Sequence, residues 1–184
     1  MKKTWIIVLA VVAVVLLYGW SSYNRFVGAN EAMDAQWKQV EVQYQRRLDL
    51  IPNLESTVKG ITQQEQEVFG KIAEARSRYV NAKSVDEKVR AASGIETAFA
   101  GIFALAENYP QLRSAEAFTT LMAQLEGTEN RVSVERKRFN EQVQALNVMT
   151  KRFPGNIMAR LFGFAEREYF QAAAGSENAP KVNF

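Results

Sequence analysis

Hydrophobic positions recur every seven residues along the first third of the chain. Tyr23, Asn30, Trp37, Tyr44, Ile51 and Val58 form one series, and Phe26, Met33, Val40, Arg47, Leu54 and Ile61 form another three residues on. Such an a/d seam predicts a long helix that packs against other helices. A second seam runs through Phe118, Leu125, Val132, Phe139 and Leu146, flanked by Leu121, Val143 and Met149. Nowhere does the chain alternate as a half-buried strand would. The predicted fold class is all-α, with an N-terminal transmembrane helix continuing into a long antiparallel four-helix bundle with coiled-coil-like packing.

Ahead of the first seam, residues 5–20 carry no charge, and Thr4, Ser21, Ser22 and Tyr23 extend them in a helix. A span needs about 20 apolar residues. Trp5, Tyr18 and Trp20 stand where interfacial aromatics belong. Lys2 and Lys3 precede the run and Arg25 follows it, so the positive-inside rule puts the N-terminus in the cytoplasm and the body outside. A cleaved signal peptide is the alternative, with a shorter apolar core and a small-residue cleavage site. Here Tyr18-Gly19-Trp20 occupies that place, which favours an uncleaved anchor.

Punctuation divides the body. Gly60 closes the first long helix, and Thr62 with Glu65 forms a capping box for the second, which runs to about Asn81. Ser84 with Glu87 opens the third, which Asn108-Tyr109-Pro110 ends. Ser114 caps the fourth, which runs to Arg152 before Pro154. Pro52 is expected to kink the first helix, because it lacks an N–H and clashes one turn back. Three regions result: a cytoplasmic N-terminus and anchor at 1–22, a helical bundle at 23–152, and a short aromatic-rich helix with an extended tail at 153–184.

Lengths expose a mismatch. A helix over 23–61 rises about 58 Å, and the fourth descends as far, but the second and third are each only about 30–35 Å long. The half near the membrane then has two helices, too few to bury Phe26, Met33, Trp37, Phe139, Val143 and Leu146. A cover is expected from the C-terminal segment, from neighbouring copies or from another membrane protein.

Composition narrows the chemistry. The 184 residues include no Cys and no His. That removes disulfides, thiol nucleophiles, His general bases, the usual zinc ligand sets and the Glu-x-x-His di-iron motif. The net charge of +3 includes the two anchor lysines, so the body is near neutral and a poor nucleic-acid footprint. The Arg136-Lys137-Arg138 triplet sits beside Glu129 and Glu135 and reads as a solvated face. No catalytic, cofactor-binding or metal residues are expected, and no cofactor.

Arg47 occupies a seam position, and a charge inside a bundle needs a partner. Counting along the antiparallel fourth helix nominates Glu129 or Glu135, with Asp49 as a further member of this structural pairing. Removing Glu129 is then expected to destabilise the fold sharply. The stretch 153–170 crowds Phe153, Ile157, Leu161, Phe162, Phe164, Tyr169 and Phe170 beside Arg152, Arg160 and Arg167. These aromatics, with Val182 and Phe184 at the tail, are candidate contacts to the membrane, to the stem or to a neighbouring subunit.

The first long helix reads Gln36-Trp37-x-Gln39-Val40-x-Val42-Gln43-x-Gln45-Arg46-Arg47-Leu48-Asp49-Leu50-Ile51-Pro52-Asn53-Leu54, then Thr57-Val58-Lys59-Gly60. This closely resembles the LemA family. Ala75-Arg76, Glu129-Asn130-Arg131, Phe139-Asn140, Arg152-Phe153-Pro154, Phe162-Gly163-Phe164, Tyr169-Phe170 and Pro180-Lys181-Val182 with Phe184 extend the likeness over nearly all of 23–184. Phe139 and Leu146 stand where the family tends to have tyrosine, and Asn183 where it often has aspartate. The resemblance implies an N-terminally anchored antiparallel bundle in the bacterial cytoplasmic (inner) membrane, with its body on the periplasmic side. It implies no enzymatic activity, and an association with membrane organisation and membrane-embedded proteases. The functional expectation is a non-enzymatic scaffold or adaptor that self-associates as a homo-oligomer and organises a membrane partner, or the bilayer itself. The alternative is a monomeric ligand-binding or sensor bundle on the membrane surface.

Overall fold

The computed structural model describes residues 2–58, 63–109 and 116–171. Their helices are α1 Lys2–Leu48, α2 Ile51–Val58, α3 Gln63–Asn81, α4 Val85–Asn108, α5 Glu116–Lys151 and α6 Gly155–Phe162. No strand occurs among the described residues. The chain is all-α, as its periodicity predicts. It divides into two compact units: Met1–Trp37 with Arg138–Arg167, and Lys38–Lys137 with Glu168–Phe184.

In the first unit, the apolar residues of 5–20 are exposed, Trp5, Leu16 and Trp20 at 66–69%. This part of α1 is long and apolar enough to cross a membrane. Further along α1 the seam turns inward. Phe26, Met33 and Trp37 are buried with Phe139, Val143 and Leu146 of α5. Trp37 meets Phe139 edge to face, with ring centroids 5.6 Å apart, a geometry that aligns ring edge with ring face.

The chain's own segment after α5 lies over this two-helix core. Phe164 stacks on Phe26 at 4.9 Å, and Phe162 meets Tyr23 edge-on at 5.1 Å. Ala159 of α6 is buried. Asn147 fixes the irregular stretch beyond: its Nδ2 donates to the Arg167 carbonyl at 2.9 Å, and its Oδ1 accepts from the Arg167 N–H at 2.8 Å. Asn147 is itself buried, so both halves of its amide are satisfied by one backbone unit.

Two glycines make this turn-back possible. A Cβ at Gly155 would stand 2.5 Å from the Met149 carbonyl oxygen, which no side chain tolerates. Gly163 ends α6 at φ +77°, and Phe164 N–H reaches back to the Ala159 carbonyl at 2.9 Å, the 6→1 bond of a Schellman cap.

The second unit packs the end of α1 with α2, α3, α4 and part of α5. Its core holds Val40, Tyr44, Leu48, Leu54, Ile72, Tyr79, Phe99, Ile102, Phe118, Leu125 and Val132. Between α3 and α4 small residues bring the helices close: Gly94 lies against Ala75 and Gly101 against Val68. Ser84 and Glu87 form the capping box that their spacing predicts. Glu87 N–H donates to Ser84 Oγ at 3.2 Å, and Glu87 Oε2 accepts from the N–H groups of Lys83 and Ser84 at 2.7 and 3.4 Å. Gly60, Thr62, Pro110 and Ser114 lie outside the described residues.

The first long helix does not run unbroken to residue 61. It stops at Leu48 and restarts at Ile51, with Leu50 N–H bonding the Arg47 carbonyl in a tight i→i−3 turn at 3.2 Å. The Pro52 ring would clash with the Leu48 carbonyl, one turn back, if the helix continued. Pro52 instead falls in the first turn of α2, where no N–H is needed.

Replacing Gly163 by Ala is expected to cost about 1–2 kcal/mol, the penalty for a Cβ in left-handed backbone. Thermal unfolding of the detergent-solubilised protein measures it. An unchanged midpoint would mean that α6 does not hold the stem closed.

Candidate functional site

Arg47 sits on the last turn of α1 and is buried. Its Nη1 donates to Glu96 Oε2 at 2.8 Å and lies 2.5 Å from Glu129 Oε2, an ion contact without hydrogen-bond alignment. Its guanidinium lies over the Phe99 ring at 4.3 Å. One turn earlier, Tyr44 donates its hydroxyl to Glu96 Oε1 at 2.8 Å. Arg136 Nη1 stands 3.5 Å from the same oxygen. The guanidinium of Arg136 covers the Phe170 ring at 4.7 Å, and its Nη2 donates to the Gln171 carbonyl at 3.1 Å. Two arginines thus face two glutamates, and the cluster joins α1, α4, α5 and the segment after residue 168.

Glu129 stands at the cluster, but it is the lesser partner. Its side chain is 41% accessible, against 12% for Glu96. Glu96 escaped sequence reasoning, although it lies four residues after Ala92 and three before Phe99, both fully buried on α4. That spacing places it on the packed face. Glu135 is half-buried on α5. Asp49 is not brought to Arg47: it lies exposed beyond the end of α1, where its Oδ1 accepts from Gln45 Nε2 at 2.8 Å.

The aromatic candidates separate into two sets. Phe164 and Phe170 are held within the chain, the first stacked on Phe26 of the stem, one of the three contacts the sequence allows, and the second buried beneath Arg136. Phe162 and Tyr169 are partly exposed, and Phe153, Ile157 and Leu161 more so. Val182 and Phe184 lie outside the described residues.

A family model described as the LemA family matches residues 36–184. The chain belongs to the LemA family. It is 25% identical over 175 residues to magnetosome protein MamQ 2 of Paramagnetospirillum magneticum, a match covering 81% of this chain and 64% of that protein. To magnetosome protein MamQ of Magnetospirillum gryphiswaldense it is 26% identical over 174 residues, covering 80% and 64%. The chain therefore spans less than two thirds of the length of the curated relatives it matches. This LemA-family chain is a membrane-associated helical protein.

Protonation in the cluster is uneven. Burial pushes the Glu96 carboxyl up, but the Arg47 guanidinium and the Tyr44 hydroxyl outweigh it, and the group titrates below its ordinary value. Burial raises Glu129, and the charge of Glu96 adds to the rise against the pull of Arg47. Tyr44 is pushed well above its ordinary range, by burial first and then by Glu96, so it remains a donor.

Replacing Glu96 by Ala is expected to cost about 3–5 kcal/mol, because it leaves a buried guanidinium without its main partner. Replacing Glu129 should cost far less, because burial and the Glu96 charge offset its attraction to Arg47. Urea unfolding of both variants ranks them, and a Glu129 variant weaker than the Glu96 variant would reverse the assignment.

The pH dependence has two limbs. Glu129, raised in the folded state, costs stability above its folded pKa, and that cost is relieved as pH falls toward the ordinary glutamate range. Glu96, lowered in the folded state, contributes stability above the ordinary range that is lost as pH falls through its folded pKa. Unfolding midpoints should hold or rise slightly on mild acidification and then drop. In Glu129→Gln the rise should vanish while the acid drop remains.

Proposed function

We propose that this LemA-family chain is a single-pass, non-enzymatic scaffold or adaptor that self-associates and organises a membrane partner, possible membrane proteases included, or the bilayer itself. The N-terminus lies in the cytoplasm and the body on the periplasmic side of a bacterial inner membrane. The carrying observation is on the first unit. Its core is closed by the chain's own segment 153–167, and yet Phe153, Ile157 and Leu161 still face outward beside an exposed apolar helix. Large apolar side chains left outside a closed core read as contacts to something else. The buried Arg47 cluster supports the same reading, since its charges pair with one another and hold helix register.

The alternative, a monomeric ligand-binding bundle, rests on a cleft of about 450 Å³ lined by Phe103, Phe118, Met122, Glu107 and Glu126. Its volume suits a small molecule, but Glu107 and Glu126, its charged lining residues, are exposed to water.

Native mass in gentle detergent, with identification of co-purifying chains, tests the proposal. A discrete multimer, alone or with a membrane protein, is expected. A clean monomer would overturn self-association and move attention to the cleft. A reporter fused after Phe184 should be active outside the cytoplasm, and cytoplasmic activity would invert the topology.

A further inference from the structure

The charge-free stretch 4–24 forms about 31 Å of helix, close to the roughly 30 Å thickness of a bilayer's hydrocarbon core. Arg25 then stands at headgroup level. In the same unit Ser22 and Arg25 share a cleft of about 190 Å³ with Arg152, Phe153 and Gly155. The start of α6 therefore lies beside the last turns of the apolar helix, at the depth where hydrocarbon gives way to headgroups.

α6 turns Ala159 into the core of the unit and presents the opposite side outward. Ile157 and Leu161, four residues apart on it, are 51% and 70% exposed, and Phe153, two residues before its start, is 80% exposed. Arg25, Arg152 and Arg160 are exposed around them and carry no ion pair among the described residues. Lys151, next in sequence to Arg152, is by contrast paired with Glu166 at 2.9 Å. An apolar stripe flanked by unpaired cations at the mouth of a span fits an anionic lipid surface. A second copy fits less well, since a two-fold contact through this face would set like charges together.

Resting on the membrane anchoring proposed above, we propose that α6 lies in the membrane interface. Phe153, Ile157 and Leu161 enter the leaflet just below the phosphates, and Arg25, Arg152 and Arg160 hold the phosphates of anionic lipids. The span and α6 together grip one leaflet at two points and fix how the first unit stands on the bilayer.

The chain has no cysteine, so Leu161→Cys, Ile157→Cys and Glu31→Cys each give a unique labelling site. The full-length protein is labelled with an environment-sensitive fluorophore and placed in nanodiscs of phosphatidylcholine, with or without phosphatidylglycerol. Shallow nitroxide lipids serve as quenchers. Blue-shifted emission and quenching are expected at 157 and 161 but not at 31, stronger with phosphatidylglycerol. Arg152→Glu with Arg160→Glu should weaken that quenching. Unquenched labels at both 157 and 161 would overturn the proposal, as would blue-shifted labels that cross-link between copies instead of meeting lipid. Equal quenching with and without phosphatidylglycerol would overturn the arginine–phosphate part. Native mass of the same preparation separates the two readings: a quenched monomer refutes self-association alone, and an unquenched multimer refutes lipid docking alone.

Discussion

A guanidinium removed from water demands negative charge, and the second unit is arranged around that demand at Arg47. The residue sits where a heptad seam would otherwise place an apolar side chain. Its charge is met from two other helices, by Glu96 on α4 and Glu129 on α5, and its flat face is covered by Phe99. An apolar heptad seam can slip by a whole repeat with little loss, whereas these ion pairs cannot. The cluster therefore selects one register for three helices at once, the best-attested use of a buried polar group in a bundle. Arg136 extends the same logic, holding Glu96 on one side and the Phe170 ring on the other.

The first unit solves a different problem. Two helices cannot enclose Phe26, Trp37 and Phe139 alone. The chain supplies a lid of its own, α6 and the stretch to residue 167, and turns it back with Gly155 and Gly163. Because that lid is one short helix, it has two faces in contact with different media. One face completes the core through Ala159, and the other carries bulky apolar groups that the core does not need.

Much of this was legible in the sequence where side-chain period and backbone period coincide. The seam residues Phe26, Met33, Val40, Leu125, Val132 and Phe139 are all buried, and Ser84 and Glu87 cap α4 as their spacing requires. Legibility failed where the deciding contact joined residues distant in the chain. Spacing from Ala92 and Phe99 puts Glu96 on the packed face, but nothing local names Arg47 as its partner. Phe164 and Phe170 could be given to the membrane, the stem or a neighbour, because nothing local shows Phe26 or Arg136 waiting for them. The break after Leu48 was half-visible: Pro52 announced a disturbance, but only the tight turn at Leu50 shows that the helix stops instead of bending.

The clasp at Asn147 has an uneven consequence for how the chain tolerates change. Its amide reads the backbone of residue 167, donor and acceptor together, and ignores the side chain there. For this contact, position 167 need supply only its N–H and its carbonyl, and proline alone lacks the first. Position 147 has no such latitude. Aspartate lacks the donor, leucine lacks both groups, and glutamine carries the same amide one methylene too far from its target. The side-chain requirement of this contact is therefore stored at 147 alone, and its signature would be read there and not at 167.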